Sequence, residues 1–385
     1  KGGYTPFSCD LTDHVKFGEE NVLTVKVDST ERPDIPPFGH VIDYLCFGGI
    51  YREVDLRIVD PFYVKNVFAQ PEDVLEEKKQ LLTKVFLANT GQDEETVFVR
   101  VNLEKDGKLI ASTVTKAQLS AGTEAVTDVY LKNLEDIALW GIDHPELYDL
   151  TVSLLRDNTE FDRFSTRIGF REAVVKPDGF FLNGERVMLR GLNRHQSYPY
   201  VGYAMPARAQ RKDADILKYE LGLNLVRTSH YPQSTHFLDR CDEIGLLVFE
   251  EIPGWQHIGD ENWQKVAQED VREMIERDWN HPSIFLWGVR INESWDSSEF
   301  YKETNRIARE LDPTRQTGGV RYIEKSEFLE DVYTMNDFIH SGGEIVLRDQ
   351  RQVTGLEEYV PYMVCEFNGH MYPTKRFDQE ERLIE

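Results

Sequence analysis

From residue 173 onward the chain keeps one rhythm, a short apolar strand followed by a longer connection, usually of helical length. The strand candidates are Val187–Arg190, Leu223–Arg227, Leu246–Phe249, Ile284–Trp287, Thr317–Val320, Val332–Met335 and Tyr362–Cys365. Helical stretches lie between most of them, for example Gln264–Trp279 and Tyr301–Leu311. Strands can lie parallel only if a crossover of about a dozen residues separates them, so this rhythm demands a parallel α/β sheet. Seven such units predict a (β/α)8 TIM barrel lacking its last βα unit. A doubly wound sheet is the alternative. No GxGxxG or P-loop follows any of these strands, so its nucleotide-binding versions lose support.

Upstream the texture differs. Leu82–Ala88, Val97–Leu103 and Tyr148–Leu154 read as strands, and Asp106-Gly107 is a hairpin turn. Residues 62–172 therefore predict a β-sandwich. Residues 1–61 hold two alternating stretches, Val22–Val27 and Tyr51–Ile58, on either side of a Pro- and Gly-rich run. About 60 residues is short for an independent β domain, which predicts further strands upstream. At roughly 150 residues per domain, 385 residues fit this partition.

Charge narrows the partners. Lys plus Arg total 44 and Asp plus Glu 68, a formal net charge of −24. So acidic a chain repels phosphate backbones and anionic membrane surfaces, which argues against nucleic acid and lipid. No apolar run approaches a membrane span. Cys9, Cys46, Cys241 and Cys365 are scattered without a CxxC pair. That predicts a reducing, cytoplasmic compartment rather than a disulfide framework.

In a barrel the chemistry sits at the C-terminal ends of the strands. Those ends read Asn193-Arg194-His195-Gln196, Arg227-Thr228-Ser229-His230-Tyr231, Glu250-Glu251, Asn292-Glu293 and Glu366-Phe367-Asn368. One rim thus collects carboxylates, histidines, amides and arginines. Two carboxylates facing across a barrel mouth suit retaining glycoside hydrolysis, one protonating the leaving oxygen and the other attacking the anomeric carbon. Trp255, Trp295, Tyr198 and Tyr231 suit stacking on sugar faces.

Two long motifs sharpen this reading. Asn224-Leu-Val-Arg227-Thr-Ser-His230-Tyr231-Pro232, followed by Asp242-Glu-Ile-Gly245, resembles one signature of glycoside hydrolase family 2. Asp278-Trp-Asn280-His281-Pro282-Ser283, running on to Asn292-Glu293, resembles the second. Gly49-Ile50-Tyr51-Arg52 is similar to the end of the family's sugar-binding jelly roll. The resemblance covers the whole chain. It implies a partial jelly roll over 1–61, an immunoglobulin-like β-sandwich over 62–172 and a C-terminally incomplete catalytic TIM barrel over 173–385.

The same resemblance implies roles. Glu293 becomes the general acid/base, with Asn292 on the sugar 2-hydroxyl. Glu366 becomes the nucleophile. His195 and His230 hold sugar hydroxyls or the transition state, and Arg227 lies beneath the nucleophile, where a cation favours a charged carboxylate. Asp43 reaches into the sugar pocket from the first domain. The best-known β-galactosidases also bind magnesium beside the acid/base, but Trp255 stands at the carboxylate position, so no metal is carried over. No other cofactor is implied. Met335-Asn336-Asp337-Phe338 offers no Tyr where the family usually bonds the nucleophile.

Each residue also has a structural reading. Glu293 can be a helix-start carboxylate, Glu366 a surface acid, and His195 and His230 satisfied core histidines. Arg227 can be a buried ion-pair partner and Asp43 a solvated loop acid. Glu250 and Glu251 read as supporting acids, and Glu72–Glu77 and Gln379–Glu381 as solvated faces. The motifs favour a retaining β-glycosidase, in first place a β-galactosidase, from Asn193-Arg194-His195-Gln196 with Pro199 downstream. β-Glucuronidase, another family 2 specificity such as β-mannosidase, or an inactive carbohydrate-binding fragment are the alternatives. The implied partner is a glycan, with a homo-oligomer as the expected assembly.

Overall fold

The computed structural model describes residues 3–338 and 347–367. Asn368 and the acidic run 379–381 lie outside them. Seven antiparallel strands form the first folded layer pair: β1 (Phe62–Glu72), β2 (Lys79–Asn89), β3 (Glu95–Lys105), β4 (Lys108–Leu119), β5 (Thr123–Leu134), β6 (Tyr148–Arg156) and β7 (Thr159–Ile168). They build two sheets, ordered β1-β2-β5 and β4-β3-β6-β7. Alternation is the reason. Val97, Val99, Val101 and Leu103 on β3 are all fully buried, and their neighbours face outward. Asp106 and Gly107 both take positive φ, at 51° and 72°, as a two-residue hairpin turn requires.

A small antiparallel sheet follows, of β8 (Ala173–Lys176), β9 (Gly179–Leu182) and β10 (Glu185–Val187). Seven parallel strands then line up in chain order: β11 (Gly191–Asn193), β12 (Leu225–Thr228), β13 (Leu247–Glu251), β14 (Ile284–Gly288), β15 (Gln316–Arg321), β16 (Val332–Asn336) and β17 (Tyr362–Glu366). Between them run α1 (Ala207–Asp215), α2 (Thr235–Ile244), α3 (Glu261–Asp278), α4 (Ser298–Leu311) and the short α5 (Gln350–Thr354). Among the described residues this is a parallel barrel sheet in unbroken order, so the doubly wound alternative falls. No helix among them is long and apolar enough to cross a membrane.

Two expectations need correcting. The first barrel strand is Gly191–Asn193, whereas Val187–Arg190 leads into it from the small sheet. Asn224 sets that register: its Oδ1 accepts from the Arg190 amide at 2.7 Å, and the Leu225 amide donates to the Arg190 carbonyl. Only glycine fits next, because a Cβ on Gly191 would lie 2.7 Å from the Leu225 carbonyl. Secondly, Val22–Val27 and Tyr51–Ile58 are not strands. A strand persists through its ladder to a neighbour. Neither stretch has a ladder partner among the described residues, and Val22, Leu23, Leu56 and Ile58 stay exposed.

The segment before residue 62 is nevertheless pinned to the barrel mouth. The Trp263 indole donates to the Phe38 carbonyl at 2.8 Å, and the Tyr203 hydroxyl donates to the Leu45 carbonyl at 2.6 Å. Arg52 donates to Gln196 and to the Tyr203 carbonyl. Gly39 permits the approach, since a Cβ there would run into the His257 ring.

Sandwich and barrel meet on the second signature. Trp279 stacks on Phe68 at 4.5 Å and on Phe86 at 5.3 Å, and its indole donates to the Val67 carbonyl at 2.9 Å. Asn280 bonds the Val67 carbonyl and the Ala69 amide. Much of the motif is therefore a joint between layers. Trp279→Ala should lower unfolding stability by about 3–5 kcal/mol, as for other buried Trp truncations. Denaturant unfolding checks this, and an unchanged midpoint would show that the joint contributes nothing.

Candidate active site

Arg227 organises the strand ends. It lies on β12, almost fully buried, where its guanidinium spans the mouth. Nε and Nη2 bind Glu251 of β13 at 3.0 and 2.8 Å, and Nη1 donates to Glu366 Oε1 of β17 at 2.6 Å. Nη2 also lies 2.7 Å from Asn292 Oδ1 and 2.9 Å from His230 Nδ1. Nη2 has only two hydrogens. Glu251 and Asn292 take both, so His230 Nδ1 carries its own proton and donates to Glu251 Oε1 at 2.6 Å. That tautomer leaves His230 Nε2 with a bare lone pair, 4.0 Å from Glu366.

The charges follow from burial. Burial alone would lower the Arg227 pKa, but the carboxylates of Glu251 and Glu366 hold it above the usual value. Burial pushes Glu251 up, against the pull of Arg227. Burial, reinforced by the Arg227 cation, puts His230 far below an ordinary imidazole, with Glu366 opposing. His195 drops to about 4 through burial and its neighbours His230 and Arg227. Both histidines are neutral at pH 7.

Glu293 follows β14 and is held differently. Its φ is +55°, a left-handed conformation that costs a non-glycine residue energy and often marks a functional position. Its amide donates to the Val320 carbonyl at 3.0 Å, locking it against the end of β15. Its carboxylate meets neutral amides: Asn336 Nδ2 at 2.8 Å and Gln256 Nε2 at 3.2 Å. Asn336 closes the circuit, since it pairs with Glu366 between β16 and β17.

Of the residues singled out from sequence, Arg227, His230, Asn292 and Glu366 are joined by direct contacts. Glu293 joins them through Asn336. His195 stands at the rim, its Nδ1 3.3 Å from the Tyr231 hydroxyl and its ring 5.5 Å from that of His230. Asp43 enters from the pinned segment. Its carboxyl rises to about 6, first through burial and then through the negative charges of Glu293 and Glu366.

Other rim expectations change. Tyr231 is fully buried and supports His195, so it cannot stack on a sugar, whereas Trp295 is 67% exposed. Where a Tyr was missing after β16, Asn336 is present, and it holds Glu293. Asn336 and Gln256 escaped sequence reading because a lone amide carries no spacing signal. Glu251 was read only as a supporting acid, although it is the main partner of Arg227. The described Asp239, Asp242 and His281 come close enough to hold a cation. They lie away from the mouth, where His281 instead donates to Asp242.

A β-sandwich leading into a parallel α/β barrel, with carboxylates, neutral histidines and a buried arginine gathered at the strand ends, is the architecture of a barrel glycoside hydrolase. The model for the glycosyl hydrolases family 2 TIM barrel domain matches residues 173–383, and a second family 2 model matches 62–171. The chain belongs to glycoside hydrolase family 2. It is 58% identical over 390 residues to a β-galactosidase of Thermoanaerobacterium thermosulfurigenes, covering 100% of this chain and 54% of that protein. It is 31% identical over 384 residues to a putative β-glucuronidase of Formosa agariphila, covering 96% and 45%. A solved putative β-galactosidase from Bacteroides fragilis superposes with a TM-score of 0.87 at 28% identity, over 97% of this chain and 58% of that one. The chain spans about half the length of the relatives it matches.

Proposed function

We propose that this chain carries the catalytic centre of a retaining β-galactosidase. The observation that carries the reading is the unlike setting of two carboxylates. Glu366 touches the Arg227 cation, and among the described residues the side chain of Glu293 is bonded by neutral amides. Environments that separate two carboxyls in this way assign acid and base roles. A cation in contact favours the charged form, which suits a nucleophile, whereas among the described residues no cation touches Glu293.

In the first step Glu366 bonds to the anomeric carbon, the glycosidic C–O bond breaks, and the Glu293 proton passes to the departing oxygen. In the second, water gives a proton to Glu293, its oxygen bonds to the anomeric carbon, and Glu366 is released. Asn292 Oδ1 is engaged by Arg227, so its Nδ2 is the group that meets the 2-hydroxyl. His230 accepts a sugar hydroxyl proton through its bare Nε2. Galactose is preferred to glucuronate because the 58% identical relative is a β-galactosidase and the glucuronidase-named one stands at 31%.

The test uses the protein that carries this chain with nitrophenyl β-galactoside, β-glucuronide and β-mannoside. Galactoside turnover should exceed the others; faster glucuronide turnover would overturn the sugar assignment alone. Glu293→Ala should then lower turnover of an alkyl galactoside by about 10²–10⁴-fold, the usual contribution of general acid catalysis. A dinitrophenyl galactoside should lose much less in its first step, because that leaving group departs without a proton. Equal losses with both would remove Glu293 from the acid role.

A further inference from the structure

The pinned segment sends two neighbouring side chains into the mouth. Asp43 lies within electrostatic reach of Glu293 and Glu366, and Tyr44 lies among the rings of His195, His230 and Tyr231. The Tyr44 ring lies 5.8 Å from His230, 5.5 Å from His195 and 5.3 Å from Tyr231, centre to centre. Its hydroxyl is buried and has no hydrogen-bond partner among the described residues. An orphaned buried hydroxyl weakens a fold, so the ring around it must be held there for another reason. Burial keeps that hydroxyl protonated, so it brings no charge.

We propose that Tyr44 is a positioning residue for the reaction: its ring covers His230 against water, so that this imidazole meets the sugar uncharged. This rests on the reading of the site as glycosidic. His230 is 4% exposed, and its ring neighbours are Tyr44 from the pinned segment and His195 from the end of β11. The charged groups facing it are Arg227 on β12, Glu251 on β13 and Glu366 on β17. Its Nδ1 proton already goes to Glu251. A second proton would therefore sit on Nε2, the nitrogen that lies 4.0 Å from Glu366. It would pair with the carboxylate proposed to attack the sugar and would remove the only acceptor that His230 offers. Water is what makes that second proton affordable, and the Tyr44 ring keeps water out.

The experiment compares Tyr44→Ala, Tyr44→Asn and Tyr44→Phe in the protein that carries this chain. The first two admit water, and the third keeps the cover. In both Ala and Asn variants the acid limb of kcat/KM should move up by about one pH unit or more, toward the ordinary imidazole value near 6.5. Tyr44→Phe should keep the original limb and unfold no earlier, because it deletes only an unpaired hydroxyl. An unmoved limb in a folded Ala or Asn variant would overturn the proposal. So would an equal shift in Tyr44→Phe, which would assign the effect to the hydroxyl. Titration of the His230 ring by NMR, identified by its loss in His230→Asn, reads the same shift without turnover. If no glycoside is hydrolysed at all, the functional reading fails, and the NMR titration still decides whether Tyr44 covers His230.

Discussion

Replacing Glu366 with alanine should reduce hydrolysis of a nitrophenyl galactoside by on the order of 10⁴-fold or more, the scale on which loss of a covalent nucleophile is felt. Arg227 already has Glu251 and Asn292 to bind, so removing one of its partners leaves it paired, and the fold should hold. The shortened side chain also opens room at the end of β17. A small anion such as azide or formate should enter there and attack the anomeric carbon from the face Glu366 used. With a dinitrophenyl galactoside, azide should restore turnover and yield an α-galactosyl azide, one inversion in place of two. Product stereochemistry by NMR reads this. A folded Glu366→Ala variant that keeps its turnover would sink the assignment, and a β-configured azide would sink the single-displacement account.

The second large effect is at Arg227. Arg227→Met keeps most of the side-chain volume and deletes the charge that holds Glu251, Glu366 and Asn292. Breaking a buried ion pair from one side leaves uncompensated charge and costs about 3–5 kcal/mol. The loss should appear as a lower denaturant midpoint. Turnover should fall by on the order of 10²–10³-fold, the scale of losing one preorganised electrostatic contact. Adding Glu251→Gln to Arg227→Met removes the stranded charge and should return part of the stability but none of the activity. A double variant no more stable than the single would show that Glu251 is not the partner that matters.

The two variants separate what one residue does. In the proposed reaction Glu366 supplies a bond to the substrate, and Arg227 supplies the field in which that bond forms. Asn292 and His230 also contact Arg227, so on the same reading a sugar bound by them would be in register with the Glu366 oxygen. Glu293 is kept out of it by Asn336 and Gln256. The separation depends on neutral amides standing where a second cation would have made both carboxylates alike.

What the sequence determined by itself is periodic or contiguous. Alternation placed β2, β3 and β6 of the sandwich. The repeated strand-and-helix rhythm produced the parallel sheet, and runs such as Arg227-Thr-Ser-His230 and Asn292-Glu293 brought the main polar groups to strand ends. These features are local, because side-chain direction repeats every two residues in a strand and about every 3.6 in a helix. Tertiary structure alone decided the rest. The alternation of Val22–Val27 and Tyr51–Ile58 could not supply a ladder partner, so neither became a strand. The first barrel strand slid to Gly191–Asn193 because Asn224, more than 30 residues on, grips Arg190. Glu251 gained its importance from Arg227 across the next strand, and Asn336 from reaching Glu293 43 residues away. Asp43 and Tyr44 matter only because a distant segment is pinned over the mouth. Hydrogen bonds and charges act through space over a few ångströms, and which residues come within that range is set by packing.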